Sequence, residues 1–113
     1  MANSGSFRLG VLGSGLGSNF VAIAEAVSRG DVAAEVAAVI SDVENAGILQ
    51  RANQLGIPGQ FIDPGKYRTK LNEGAEQAYI TALESAQVDL VVLAGFMRIL
   101  KGDFLRSFEG RVI

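Results

Sequence analysis

The residues best suited to binding a small anion lie in a glycine-rich loop near the start of the chain. The segment GSGLGSNF, residues 13–20, follows directly after the apolar run RLGVL. Gly17 lets the backbone approach a ligand closely, while Ser18 and Asn19 offer amide donors at the start of a helix, where the helix dipole favours negative charge. We therefore predict a site for a single phosphate group at Gly17, Ser18 and Asn19. The alternative is an N-cap serine, with glycines that serve only a tight turn.

The same loop departs from two familiar nucleotide motifs. A dinucleotide fingerprint counted from Gly13 needs a glycine where this chain has Ser18, and a triphosphate loop needs a lysine that this loop lacks. The triphosphate interpretation fails. A dinucleotide-binding oxidoreductase domain stays as an alternative function, with Asp42 binding a ribose hydroxyl, although Asp42 also fits a helix N-terminal acid.

A second loop, AGFMRIL, places one charged side chain among apolar neighbours. Each apolar residue on its own could belong to a core, but packing seldom explains an arginine in such a segment. Apolar residues around one polar group are typical of a cleft wall for a flat organic ligand. The sequence predicts such a wall at Met97, Arg98, Ile99 and Leu100.

Composition restricts the chemistry that the chain can perform. The 113 residues include no histidine and no cysteine, and the formal net charge is −2. Thiolate chemistry is excluded, the usual general acid–base residue is missing, no spacing indicates a metal, and no basic cluster favours nucleic acid. No apolar run approaches the roughly 18 residues that cross a membrane, so we expect a cytoplasmic protein.

Alternating apolar periods predict a β-α-β-α-β-α-β order after a disordered tail at residues 1–6. The predicted strands are 7–12, 35–41, 59–63 and the run VDLVVLAGF, which is apolar enough to be buried on both faces. The predicted helices are 18–29, one with Ile48, Ala52 and Leu55 inward, and one whose small-residue face is Leu71, Ala75, Ala78, Ala82 and Ala86. This order indicates a three-layer, Rossmann-like α/β sandwich, with a mostly parallel sheet and helices on both faces.

Right-handed crossovers favour the strand order 3-2-1-4, in which the first and fourth strands are neighbours. The loops that leave their carboxyl ends must then flank one crevice. The glycine-rich loop and the segment AGFMRIL therefore form a single candidate site.

Together these two segments carry a family resemblance. SGLGSNF after the first strand and DLVVLAGFMRIL at the fourth resemble the glycinamide ribonucleotide transformylase, or phosphoribosylglycinamide formyltransferase, family. The resemblance implies transfer of a formyl group from 10-formyltetrahydrofolate to the amine of 5-phosphoribosylglycinamide in purine biosynthesis. It assigns Gly17, Ser18 and Asn19 to the substrate phosphate, and Met97, Arg98, Ile99 and Leu100 to the folate pocket.

The resemblance extends from the first strand to the end of the chain and corresponds to the amino-terminal half of that family. The family's catalytic asparagine, histidine and aspartate have no match, so no catalytic residue is assigned and they are expected beyond Ile113. Residues 7–113 would then be the amino-terminal part of an incomplete formyltransferase domain, truncated at the start of a fifth strand and inactive alone. The implied ligands are small molecules, with no metal, nucleic acid or membrane, and a homodimer is left open. A noncatalytic phosphate- or folate-binding module is the other alternative.

Overall fold

The computed structural model describes residues 7–113, and the predicted tail at 1–6 lies outside the described residues. The elements in chain order are β1 (Phe7–Leu12), α1 (Ser18–Ser28), β2 (Ala34–Ser41), α2 (Gly47–Gln54), β3 (Gly59–Phe61), α3 (Glu73–Ser85), β4 (Leu90–Leu93) and α4 (Gly102–Ser107). The predicted alternation of strands and helices is confirmed. The short helix α4 was not predicted.

The strands form one parallel sheet in the order β3-β2-β1-β4, as the sequence predicts. Since β1 pairs with both β2 and β4, the carboxyl ends of these three strands lie at the same edge of the sheet. The segment GRVI begins a further parallel pairing on the outer side of β4. There the Val91 amide donates to the Arg111 carbonyl over 2.8 Å, and the Ile113 amide donates to the Val91 carbonyl over 2.9 Å.

Helices cover both faces of the sheet, which confirms the three-layer sandwich. Along β1, Val11 belongs to one core cluster and Leu12 to the other, because successive side chains of a strand point to opposite faces. The first cluster includes Phe20 of α1 and Ile48 of α2. The second includes Tyr79 of α3, together with α4. None of the helices in residues 7–113 has the length and apolar character needed to cross a membrane.

The predicted inner faces of two helices are partly wrong. In α2, Ile48 and Ala52 are buried as expected, but Leu55 follows the last helical residue and is exposed. Of the face predicted for α3, Leu71 and Ala75 are buried and Ala82 and Ala86 are half-buried, but Ala78 is exposed. The prediction missed the large buried side chains Tyr79, Ile80 and Leu83, which remove more apolar area from water. Ala78 lies in the wall of an open groove of about 890 Å³ between α3 and β2.

The last two strands are shorter than their apolar patterns suggest. β3 has three residues, all of them exposed, where five were predicted. β4 ends at Leu93, and that side chain is exposed because only residues 111–113 lie beyond β4 in the described sheet. Val91 is fully buried, but Leu90 and Val92, on the other face, are only half-buried and Leu93 is exposed. The prediction that this strand is buried on both faces is therefore only partly confirmed.

Candidate ligand-binding site

The two predicted loops are joined directly at the carboxyl edge of the sheet. The Ser14 amide donates to the Gly95 carbonyl over 3.1 Å, and the Met97 amide donates to Ser14 Oγ over 2.9 Å. The glycine-rich loop after β1 and the loop after β4 are therefore two walls of one surface region, as the predicted strand order requires.

The start of α1 has no side-chain cap. Its N-cap residue is Gly17, which adopts the left-handed conformation with φ 89°, while Ser18 is already the first helical residue. The alternative of an N-cap serine is thus wrong. Ser18 and Asn19 are both exposed. The backbone N–H groups in the first turn of α1 can therefore donate hydrogen bonds to an anion.

Helix α2 holds the glycine-rich loop in place from the side. The Ile48 amide donates to the Gly15 carbonyl over 3.0 Å, and Arg51 Nε donates to the Leu16 carbonyl over 2.8 Å. The contact is close enough that a Cβ atom on Gly17 would lie 2.7 Å from the Ile48 Cα atom. The loop therefore has little freedom to move away from α2.

The loop after β4 presents apolar side chains to solvent. Met97 is 75% exposed and Ile99 is 57% exposed, whereas Arg98 and Leu100 are half-buried. The Ile99 amide donates to the Thr69 carbonyl over 2.7 Å, which fixes the backbone of this loop against the segment before α3. The arrangement offers an apolar surface that a flat ligand could cover.

Arg98 does not extend into the open space of this region. Its Nε donates to Asp42 Oδ2 over 2.7 Å, and its NH1 group donates to the Tyr67 carbonyl. The other carboxylate oxygen of Asp42 accepts from Ser14 Oγ over 2.5 Å. The guanidinium is therefore committed to contacts within the protein, and any ligand contact from Arg98 would come through its backbone.

Neither sequence interpretation of Asp42 is correct. The residue is only 6% exposed and both of its carboxylate oxygens are occupied, so it is not available to a ribose hydroxyl. It also lies outside the first turn of α2, which begins at Gly47 and contains no acidic residue. The geometry therefore removes the feature on which the oxidoreductase alternative depended.

Tyr79 lies in the core beneath this charged pair. Its hydroxyl donates to the Ile62 carbonyl over 3.4 Å. Burial, followed by the Asp42 carboxylate, raises the pKa of the Tyr79 hydroxyl well above its usual value, although Arg98 acts in the opposite direction. The hydroxyl is accordingly neutral throughout the physiological range.

A smaller cavity of about 390 Å³ adjoins the second loop and is lined by a basic segment. Lys70 Nζ lies 4.5 Å from the centre of the Tyr67 ring, within range of a cation–π contact. Lys70 also forms a parallel bridge with Ile99, so this segment is part of the same edge. Within residues 7–113, no group of three or more His, Cys, Asp or Glu side chains is arranged to hold a metal ion.

Sequence reasoning found both loops but missed the side chains that connect them. The local sequence shows Ser14 only as part of a glycine-rich segment, and it suggests other roles for Asp42. The signal was present in the predicted strand order, because the ends of β2 and β4 must lie on either side of the loop after β1. That strand order places the Asp42 carboxylate at the end of β2 near Arg98 in the loop after β4, and on that ground the two could have been predicted to pair.

The fold and the site define a class of α/β protein with an anion-binding helix N-terminus and an apolar wall at neighbouring strand ends. Comparison with known proteins is consistent with that class: the formyl transferase family matches residues 7–113. The chain belongs to the formyl transferase family.

Similar proteins extend well beyond the matched region. The chain is 33% identical over 106 residues to a Bacillus subtilis protein named phosphoribosylglycinamide formyltransferase, covering 94% of this chain and 53% of that protein. It is 40% identical over 108 residues to the Drosophila melanogaster trifunctional purine biosynthetic protein adenosine-3, covering 94% of this chain and 8% of that protein. The crystal structure of glycinamide ribonucleotide transformylase 1 from Symbiobacterium toebii superposes with a TM-score of 0.87 at 37% identity, covering 95% of this chain and 50% of that one. The chain thus spans about half the length of the single-function relatives that it matches.

Proposed function

We propose that this chain forms the substrate-binding half of a phosphoribosylglycinamide formyltransferase of purine biosynthesis. Gly17, Ser18 and Asn19 bind the substrate phosphate through the N-terminus of α1. Residues 97–100, from Met97 to Leu100, form the wall against which the 10-formyltetrahydrofolate cosubstrate lies. Residues 7–113 are accordingly the amino-terminal part of a formyltransferase domain.

One observation carries this proposal: the glycine-rich loop that leads into the uncapped start of α1 is hydrogen-bonded, at Ser14, to the exposed apolar loop after β4 at one edge of the sheet. A ligand phosphate on the first loop and a folate on the second would be held as neighbours. The names of the similar proteins, which include phosphoribosylglycinamide formyltransferases at about half coverage, agree with that pair of ligands.

The contribution of these residues to the reaction is binding and positioning. The substrate amine attacks the formyl carbon, and a new N–C bond forms. The bond from that carbon to the folate nitrogen then breaks, and the proton that the amine loses ends, overall, on the departing folate nitrogen. Holding both reactants in one crevice makes the encounter effectively intramolecular, which accelerates such reactions by many orders of magnitude. Because the chain has no histidine, we assign it no proton transfer.

The alternative is a noncatalytic module that binds either a phosphate or a folate. Such a module would bind one of these two ligands and would not need a site for the other. The proposal assigns small-molecule ligands to the site, not nucleic acid. A cytoplasmic location and a homodimer stay predictions, which fractionation and sedimentation of the chain test.

Calorimetric titration of the 113-residue chain tests the proposal. We expect binding of 5-phosphoribosylglycinamide and of 5-formyltetrahydrofolate, a stable folate, with phosphate removal weakening the first by at least about tenfold, or ~1.4 kcal/mol. Ser18→Asp should weaken the phosphorylated ligand to a similar extent and leave folate binding unchanged, because an added carboxylate repels the phosphate while favouring the helix itself.

Ser18→Asn is the matched neutral control and should bind as the unsubstituted chain does. Equal affinity for the phosphorylated and dephosphorylated ligands would contradict the assignment of the phosphate to this loop. Preferential binding of a nicotinamide dinucleotide would favour the oxidoreductase alternative.

A further inference from the structure

Three side chains connect the ends of three strands across the candidate site. Ser14 follows β1, Asp42 follows β2, and Arg98 lies in the loop after β4. Ser14 Oγ donates to one carboxylate oxygen of Asp42 over 2.5 Å, and Arg98 Nε donates to the other over 2.7 Å. We call this group of Ser14, Asp42 and Arg98 the loop clamp.

Burial makes the loop clamp a strong constraint. The side chain of Asp42 is 2% exposed and that of Arg98 is 16% exposed, so the ion pair is largely removed from water. Removing one partner of a buried pair leaves an uncompensated charge, which is far more costly than loss of a surface pair. Among the described residues, no buried side-chain nitrogen or oxygen lacks a hydrogen-bond partner.

The clamp also determines which groups of the second loop are free for a ligand. The Met97 amide is used by Ser14 Oγ, and the Arg98 guanidinium is used by Asp42 and the Tyr67 carbonyl. The hydroxyl of Ser14 therefore acts as acceptor from one loop and as donor to Asp42. This chain of bonds fixes the backbone of the second loop relative to the first.

We propose that Asp42 is a positioning residue that sets the separation between the phosphate-binding loop and the folate-binding loop. It touches neither ligand and acts through Ser14 on one side and Arg98 on the other. The assignment of ligands to the two loops rests on the proposed function, whereas the mechanical coupling of the loops does not. Because an intramolecular transfer depends steeply on the distance between reactants, the clamp would set how productively two bound ligands face each other.

The test is Asp42→Asn in the whole 113-residue chain, followed by amide hydrogen exchange measured by NMR. Asparagine has nearly the same shape but lacks the charge and one acceptor that the clamp uses. We expect the Met97 amide to exchange at least about tenfold faster, with altered amide shifts in both residues 13–19 and residues 95–100. Exchange at Val11 and Val91 in the central strands should change by less than about threefold, whereas a residue that only stabilises the core would accelerate exchange there as well.

Affinity provides the second measurement on the same folded variant. We expect Asp42→Asn to weaken both 5-phosphoribosylglycinamide and 5-formyltetrahydrofolate by about three- to tenfold. If the unsubstituted chain binds neither ligand, the proposed function fails, and hydrogen exchange still decides the coupling. If the unsubstituted chain binds both ligands and Asp42→Asn binds them equally well, the positioning role is overturned.

Two further variants complete the test. Asp89→Asn is the matched control, since the Asp89 carboxylate accepts from the Arg8 amide over 2.9 Å near the opposite edge of the sheet and should leave both loops unchanged. Ser14→Ala, which keeps the ion pair, supplies the answer if Asp42→Asn does not fold. It removes the acceptor of the Met97 amide directly, so its informative readout is a change of amide shifts in both residues 13–19 and residues 98–100. Unchanged exchange at Met97, or a response confined to one loop, would overturn the proposal.

Discussion

Individual glycines in the first loop serve different physical purposes. A Cβ atom on Gly13 would lie 2.8 Å from the Ala94 carbonyl oxygen, and one on Gly17 would meet the backbone of Ile48. A Cβ atom on Gly15, in contrast, would have no neighbour within 4 Å. Packing thus explains two of these glycines, while the third faces open space at the candidate site.

Gly17→Ala should destabilise the protein and weaken phosphate binding. Alanine at φ 89° costs about 1–2 kcal/mol, and the added methyl group also collides with α2. We expect a loss of about 2–3 kcal/mol in the free energy of unfolding, measured by urea denaturation. Gly15→Ala is the matched control and should stay within about 0.5 kcal/mol of the unsubstituted chain. Equal losses for the two variants would show that the loop is more open than the contacts with Ile48 imply.

At this scale the sequence predicts residue types better than residue roles. Gly17, Ser18 and Asn19 are found at the start of a helix, as their pattern indicates, because the N-terminus of a helix depends on local sequence. The inward direction of Arg98 depends on Asp42, which is 56 positions earlier in the chain. The local sequence pattern does not predict the pairing of Arg98 with Asp42. That pairing can be inferred only once the order of the strands is known.

Among the elements, the strands and helices that combine strong periodicity with clear ends were predicted most closely. β1 has the predicted bounds and α1 differs from its prediction by one residue, since both have an apolar stripe that ends at a glycine. Helix α4 was missed because it is short and begins in a polar segment. Its signal was the spacing of Phe104 and Phe108, four positions apart and both buried.

Helix α3 has the side-chain cap that α1 lacks. Asn72 Oδ1 accepts from the Ala75 amide over 2.7 Å, so one amide of the first turn is satisfied within the protein. Helices α2 and α4 also begin without a side-chain cap, so the absence of a cap alone does not distinguish α1. What distinguishes the start of α1 is that Ser18 and Asn19 are exposed and that the loop leading into it is bonded to the loop after β4.

Asn72→Ala should lower the free energy of unfolding by about 1 kcal/mol, because the Ala75 amide loses its acceptor. Asn72→Asp restores a side-chain acceptor and should recover most of the loss. The measurement is the urea midpoint at constant m-value, which separates a change in stability from a change in compactness. If both variants lose the same amount, the packing of Asn72 against the turn at Gly65 would explain the cost, and the cap would not.

For the whole molecule, the strand order links the fold to the site. Once β1 lies between β2 and β4, three strand ends with polar residues must meet at one edge, and the core beneath them must tolerate a buried charge. Tyr79 links the core to the site. It is fully buried on the α3 side of the core, and the Asp42 carboxylate, after burial itself, raises the pKa of its hydroxyl. Core stability and site electrostatics are therefore coupled through this side chain.

That coupling predicts a specific loss of stability at alkaline pH. Burial raises the pKa of Tyr79 in the folded state, whereas an unfolded tyrosine titrates near its ordinary value of about 10. Above about pH 10 the unfolded chain releases this proton and the folded protein retains it, so the free energy of unfolding should fall by about 1.4 kcal/mol per pH unit through this group. The contribution is complete below that pH and is lost as the pH rises towards the folded pKa.

Tyr79→Phe should abolish this part of the pH dependence. At neutral pH the variant should be less stable by about 1 kcal/mol, because the Ile62 carbonyl loses its donor. Above pH 10 its urea midpoint should fall less steeply with pH than that of the unsubstituted chain. The two plots of midpoint against pH should therefore converge and cross at about pH 11. Other groups that titrate at high pH are common to both proteins and cancel in the difference. Parallel curves from pH 8 to pH 11.5 would show that Tyr79 titrates alike in the folded and unfolded states, and that the core beneath the loop clamp is open to water.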